Sequence, residues 1–315
     1  MSDINSMLLT GNSELNICID ILDKYVNKTR SSSTNRPMDG VLYVCGNVLT
    51  YICLSASELC LFITLITYLV FAELRTVPGI NNIFLTLSLL LAQLALIMAS
   101  NVPTPSALCT YTGIITHFLW LWHFAWSFLC SLHMFRVFTA KTRIFLGRNS
   151  NVCSHVIKVM TFSLCVSVSV VALVIVSSHL TSHTIGYGKK TCYLDSAFLI
   201  GVAMVAPLSL VFMCNLTFLV ITVVSIHRVN TLLTFDAMKK EQYQNLILYV
   251  KLSSVTSVYW IATIVAEAVD SDVLRIISIL LNGLQGVSIF ISYTCNKKVY
   301  QLYFKTPLLQ DSSLS

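Results

Sequence analysis

Charge is what this sequence has least of. Only 11% of its 315 residues are Asp, Glu, Lys or Arg, about half the share of an ordinary soluble domain. With 56% hydrophobic residues and a mean hydropathy of +0.77, the chain has apolar sequence for several bilayer spans but not for a large soluble domain beside them. It also lacks a cleavable signal peptide. The first forty residues are polar, with Asp3, Glu14, Asp20 and Asp23 and no apolar core, so the first span has to act as the targeting signal. The net charge of +6 does not mark a nucleic-acid partner, because the cations sit in short clusters between apolar runs rather than on one face.

Other absences exclude chemistry. The eleven cysteines contain no CxxC pair, so no zinc or redox framework is written in their spacing. Cys53, Cys60, Cys130, Cys165 and Cys214 lie inside apolar runs, where cysteine is a small buried hydrophobe. There is no HExxH, GxSxG or phosphate loop, and no pair of carboxylates within an apolar stretch. An enzyme is not expected, and no cofactor is implied. No ring of charges or filter-like loop suggests a pore, and no internal repeat suggests the inverted halves of a transporter. His117, His123 and His133 are six and ten residues apart, so they share no helix face as metal ligands would.

What is there is a series of apolar stretches. Seven of them, near 46–71, 82–100, 109–137, 155–178, 196–226, 246–268 and 273–295, each approach the ~20 residues that cross a bilayer. The expected fold is therefore an all-α membrane protein, a seven-helix bundle over 46–295. A polar arm precedes it at 1–45, and a short tail follows at 296–315. The third stretch organises the rest: it has no Asp, Glu, Lys or Pro between Cys109 and Arg136. The fourth is ambiguous, since Ser167 and Ser169 alternate with valines in the manner of a strand. A lone strand cannot satisfy its backbone in lipid, so helix is preferred.

Lys and Arg set the orientation. With the amino end outside, the inner segments hold Arg75, Arg136, Arg228, Lys251, Lys297 and Lys298, among others; the outer loops hold only Lys189, Lys190 and Arg275, and the arm adds Lys24, Lys28, Arg30 and Arg36. Asn27-Lys28-Thr29 is then a glycosylation acceptor at Asn27, and Cys109 and Cys192 lie in the oxidising compartment. A Cys109–Cys192 bond would pin the loop before the fifth span, stabilising the fold by ~3–5 kcal/mol in the chain-entropy model. Cys18 and Cys45 are a second possible pair.

Polar side chains within the spans are the candidates for function. Glu58 in the first has no cation at its depth; it is protonated or bonded to a neighbouring helix, or it sits in a water pocket. His117, two turns below Cys109, either borders a ligand cavity or is a packed histidine bonded to a backbone carbonyl. In the seventh span, Asn282-Gly283-Leu284-Gln285-Gly286 sets two amides, which need partners across helices, beside two glycines that let the helix bend. Pro207 and Asn215 in the fifth form a similar kink and amide.

Several strings resemble the secretin/adhesion class of G-protein-coupled receptors, nearest to invertebrate Methuselah-like and adhesion-type orphan receptors. One runs from Leu65 to Gly79 and continues to Leu90-Leu91-Ala92-Gln93-Leu94. Others are His117-Phe118 through Trp126 to Phe138, Gly186-Tyr187-Gly188 before Cys192, Lys251-Leu252 to Tyr259-Trp260, and Leu281 to Phe290 followed by Asn296 to Val299. The resemblance covers about residues 45–300 and is most specific in the seventh span and the junction of the first two. It implies that Trp260 senses ligand and that Trp126, with His117 and Asn282, belongs to the same ligand cavity and switch. It implies that Gln285 and Gly286 belong to a seventh-span bend with Ser57 packed nearby. It also implies that the inner ends of the third, fifth, sixth and seventh spans receive a heterotrimeric G protein. The Asp-Arg-Tyr and Asn-Pro-x-x-Tyr marks of rhodopsin-like receptors are absent.

The chain also departs from the pattern. The fourth span lacks Trp-Gly-x-Pro, Tyr193 replaces a Trp, Cys130 a Glu, Ser257 a Gly and Asn81 a His. The Glu and the His help hold the inactive state in the secretin branch, and this sequence has neither. The arm is too short for a hormone-binding or self-cleaving outer domain, so either the receptor is minimal or its start lies upstream. His179-Leu180-Thr181 spells a cleavage tripeptide but follows the fourth span, where it is read as chance. The expected function is a plasma-membrane receptor that passes an extracellular ligand's signal to a G protein. The alternatives are a non-signalling decoy or dimer partner of a larger receptor and, further off, a carrier or channel.

Overall fold

The computed structural model describes residues 37–139, 152–189, 191–232, 265, 272–295 and 299–303. Six of its helices are long and apolar enough to cross a membrane. The sixth expected stretch, 246–268, lies outside the described residues but for Val265. The chain divides into two compact units, 1–53 and 54–315. The described part of the first is the opening half of α1, and the bundle contacts lie within the second.

Helix α1 (Pro37–Val70) starts nine residues before the expected 46. Proline suits a first helical turn, whose N–H groups have no intrahelical acceptor anyway. A 3₁₀ turn, Ala72–Leu74, leads into α2 (Val77–Asn101), where the Thr76 side chain accepts from the Gly79 N–H and Pro78 stands in the first turn. Helices α2 and α3 (Ala107–Thr139) are joined by only five residues, so they pack antiparallel as neighbours. Arg75, before α2, and Arg136, in the last turn of α3, therefore share the end of the bundle away from residues 102–106.

Helix α3 packs against α2, α4 (Val152–Ser182) and α6 (Ala206–Leu232), and its span is the most enclosed of the six. Its aromatics give the core much of its volume: Trp120, Phe124 and Trp126 cluster with Leu61, Leu85, Leu89, Met204, Leu208 and Ile289. The fourth stretch is a helix of 31 residues and not a strand. Its buried positions Ser163, Ser167, Val171, Val174 and Ser178 recur at four, four, three and four, which is one helical stripe. Among the described residues, the one β contact is the isolated Tyr187–Leu194 bridge.

The fifth span is not uniform. A four-residue α5 (Ala197–Ile200) passes into a π-helical stretch, Gly201–Val205, and then into α6. The seventh is also divided, into α7 (Asp272–Gly283) and α8 (Gln285–Tyr293), with Leu284 at φ −92° and ψ 11° between them. Beyond it, residues 299–303 form a helical turn. Val299 and Leu302 are buried there, the Tyr303 ring meets Phe71 at 4.9 Å, and its hydroxyl lies 2.8 Å from Thr67 Oγ1. The start of the expected free tail thus docks on α1.

Candidate functional site

Two clusters hold most of the buried polar groups. The first is at the break in the seventh span. A helix that restarts leaves its first N–H groups without carbonyls of their own. One of these, Gly286 N–H, donates to Ser57 Oγ of α1 at 2.9 Å. The same hydroxyl donates to Gln93 Oε1 of α2, also at 2.9 Å. Ser57 is fully buried and Gln93 nearly so, so in an apolar interior these bonds replace partners that water cannot supply. Three spans are thereby tied through one hydroxyl. The approach needs glycine: a Cβ at Gly286 would stand 2.6 Å from the Ser57 carbonyl oxygen and 2.7 Å from Leu61 Cγ.

The two amides of this stretch differ from each other. Asn282 Nδ2 donates to Ser278 O within its own helix. Gln285 is 1% exposed, yet neither of its amide atoms has a hydrogen-bond partner among the described residues. A cross-helix bond of this stretch is made by the backbone of Gly286, because the helix break turns a main-chain donor toward Ser57. Glu58, one residue on, points elsewhere. It is half-buried, and Oε1 has no hydrogen-bond partner among the described residues.

The second cluster sits where the third span begins. Cys109 and Cys192 form a disulfide with Cα atoms 4.6 Å apart. Gly113, one turn further along α3, lets the loop backbone come close, since a Cβ there would lie 3.1 Å from the carbonyl of Cys192. The loop doubles back on itself: Gly188 N–H donates to Tyr193 O and Asp195 N–H to Gly186 O, and Asp195 Oδ1 accepts from Lys189 N–H at 2.6 Å. Gly186 and Gly188 have φ of 84° and 82°, the left-handed region where glycine is unstrained. Between them, Tyr187 turns its hydroxyl inward to His117 Nδ1 at 2.7 Å, and His117 Nε2 lies 3.2 Å from the carbonyl of Ala203. The Tyr193 ring stands 5.8 Å from the same imidazole, and its buried hydroxyl has no hydrogen-bond partner among the described residues. Burial pushes both loop phenols above their ordinary range, so both stay protonated at neutral pH. Both nitrogens of His117 are thus engaged.

The remaining sequence candidates are scattered. Trp126 is buried and its Nε1–H donates to the Asn81 carbonyl at 2.9 Å, which ties α3 to α2. Asn215 Nδ2 donates to Ser127 Oγ at 3.4 Å, joining α6 to α3. His123 Nδ1 meets Ser88 Oγ at 3.1 Å, so it and His117 serve different neighbours. Arg75 and Arg136 are exposed, and the Arg75 guanidinium also reaches the Leu69 carbonyl. Arg228 lies on α6, but its side chain is not described, and Asn27, Lys251, Trp260, Lys297 and Lys298 lie outside the described residues. Gln93, Gly113 and Ala203 are site residues that the sequence alone did not single out. Gly113 carried a signal, standing one turn after Cys109 in an otherwise bulky helix. Ala203 carried none.

A helical membrane bundle with a disulfide from its third span to the loop before the fifth, and a broken seventh span held by a serine of the first, has the build of a seven-transmembrane receptor. Residues 44–289 match the family described as 7 transmembrane receptor (Secretin family), and the chain belongs to that family. It is similar to adhesion G-protein coupled receptor G2 of Rattus norvegicus, 24% identical over 79% of this chain and 25% of that one. It is similar to adhesion G protein-coupled receptor E2 of Canis lupus familiaris at 25% identity, over 78% and 29% of the two chains. With adhesion G protein-coupled receptor E3 of Homo sapiens it shares 24% over 86% and 41%. It thus spans between a quarter and about two-fifths of these relatives' lengths. The chain is a multi-pass protein of the plasma membrane and not an enzyme.

Proposed function

We propose that this chain receives an extracellular ligand at the disulfide end and passes the signal to a heterotrimeric G protein at the opposite end. The observation that carries this reading is the knot at Ser57, Gln93 and Gly286. It fastens the second half of a broken seventh span to the first and second spans at one point. A small rotation there exchanges one discrete packing for another, which is what a two-state transmitter requires. Arg75 and Arg136, exposed at the end away from the disulfide, give that end the positive charge on which a G protein would dock, joined by Arg228, Lys251, Lys297 and Lys298. On this reading the amino end is outside and Asn27 is glycosylated. It leaves Trp260 as the sixth-span residue nearest the ligand.

The test is nucleotide exchange on co-expressed G proteins, driven by the surface-expressed chain. Exchange above that of Gly286→Ala at equal surface level supports the reading. No exchange with any G-protein class, from a chain shown to reach the surface, rejects it.

A further inference from the structure

The fifth span contains a defect with a cause. In an α-helix, the carbonyl of Ala203 would accept the N–H of the residue four places on. That residue is Pro207, which has no N–H and whose ring crowds that same carbonyl. The backbone widens just ahead of it into the π-helical stretch Gly201–Val205, with the Ala206 N–H reaching back five residues to Gly201 O. Gly201 is not there for close approach, since nothing lies within 4 Å of where its Cβ would be. The Ala203 carbonyl is left inside the bundle, on a residue only 4% exposed.

His117 fills that vacancy from α3, with Nε2 3.2 Å from the oxygen. A carbonyl only accepts, so Nε2 must carry the proton. The neutral ring then offers a lone pair at Nδ1, and the Tyr187 hydroxyl, 2.7 Å away, must donate to it. The direction of the whole chain, Tyr187 to His117 to Ala203, is thus fixed. Tyr187 itself is held by its bridge to Leu194 and by a loop bonded through Cys192 to α3.

We propose that His117 and Tyr187 are positioning residues for the fifth span: they supply the hydrogen bond that Pro207 removes, and so tie the register of the π-helical stretch to the seat of the Cys192 loop. Closing that stretch to α-helix would turn the remainder of the span by about 100°. It would carry Asn215 off Ser127, the contact it makes eight residues beyond Pro207. A ligand that moves the loop would then be felt two turns down the span. That use rests on the receptor reading; the coupling of loop to helix does not.

The test is hydrogen exchange on the solubilised full chain, followed over residues 197–213, which needs neither ligand nor G protein. His117→Leu is expected to speed exchange there about tenfold and to lower the apparent Tm by about 5 °C. His117→Gln, whose amide can donate to Ala203 and accept from Tyr187, should stay within about twofold of the parent. Tyr187→Phe keeps the ring that packs in the cluster of Ala203 and Leu199 and removes only the hydroxyl, whose bond is to His117, yet it should raise exchange over 197–213 by about threefold. Pro207→Ala returns an N–H to the Ala203 carbonyl, so in that background His117→Leu should lose most of its effect. Three results would each overturn the proposal: additive effects of His117→Leu and Pro207→Ala, a Tyr187→Phe effect confined to the loop, or His117→Gln as damaging as His117→Leu. If His117→Leu does not fold, the Gln, Phe and Ala variants decide by themselves.

Discussion

Gly286 has no room for one more carbon. Its missing Cβ would lie 2.6 Å from a backbone oxygen of α1, and backbone cannot swing aside as a side chain can. Gly286→Ala should therefore cost about 1–3 kcal/mol, the range for overpacking a dense interior. Because the clash is with the Ser57 carbonyl and Leu61 as well as with the hydroxyl, Ser57→Gly should not rescue it. Thermal unfolding of the solubilised variants measures both, and recovery in the double variant would show that the hydroxyl alone set the limit. Ser57→Ala acts by another route. It strands the Gly286 N–H and removes the donor to Gln93, so a loss of ~1–3 kcal/mol is expected for an unpaired buried donor. The disulfide makes a third case. Cys109→Ser and Cys192→Ser each open the same 83-residue loop. Each alone and both together should cost alike, about 3–5 kcal/mol in the chain-entropy model. A double variant clearly worse than either single one would mean that the thiols also serve separately.

At the scale of the element, the sequence was most legible where one signal dominated and least where two helices shared the decision. The alternation of Ser167 and Ser169 with valines suggested a strand period, but burial follows the helical one. Ser167 faces the core while Ser169 is exposed and bonds back to the Cys165 carbonyl. That difference is testable: Ser167→Leu should destabilise by about 1–3 kcal/mol through overpacking, while Ser169→Leu should be neutral within ~0.5 kcal/mol. Equal effects on surface expression and unfolding would sink the assigned face. Pro207 announced a disturbance in the fifth span, but its form was not readable. A π-helical widening depends on whether another helix offers a donor for the orphaned carbonyl, and His117 is 86 residues away in sequence. The seventh-span break was foreseeable from two glycines flanking Leu284-Gln285, whereas the identity of its cross-helix donor was not. Composition points to side-chain amides, and the bond to Ser57 comes from a main-chain N–H. The disulfide and the Ser57–Gly286 contact were legible only because polar flanks and family-like strings marked both partners.

For the whole molecule, the number of crossings decides where the ends lie. Six described helices and one further apolar stretch make seven, and an odd number puts the two termini on opposite sides. Charge then chooses between the two arrangements. The segments on one side carry Arg75, Lys141, Arg143, Arg148, Lys239 and Lys240, and the loops on the other carry Lys189, Lys190 and Arg275. Cations are retained on the cytoplasmic face, and the disulfide, formed in the oxidising compartment, is on the same side as the sparse loops. Both criteria, one electrostatic and one redox, support the orientation proposed above, with the amino end outside. A small epitope inserted at Ser31–Thr34 should therefore be stained on intact cells, while one appended after Ser315 should require permeabilisation. Asn27→Gln should remove a glycan and raise the gel mobility of the chain. Staining of both epitopes on intact cells would mean an even number of crossings and would remove the stretch 246–268 from the bundle. The reverse staining pattern would set the disulfide in a reducing compartment, and the loop anchoring that holds Tyr187 over His117 would have to be explained without it.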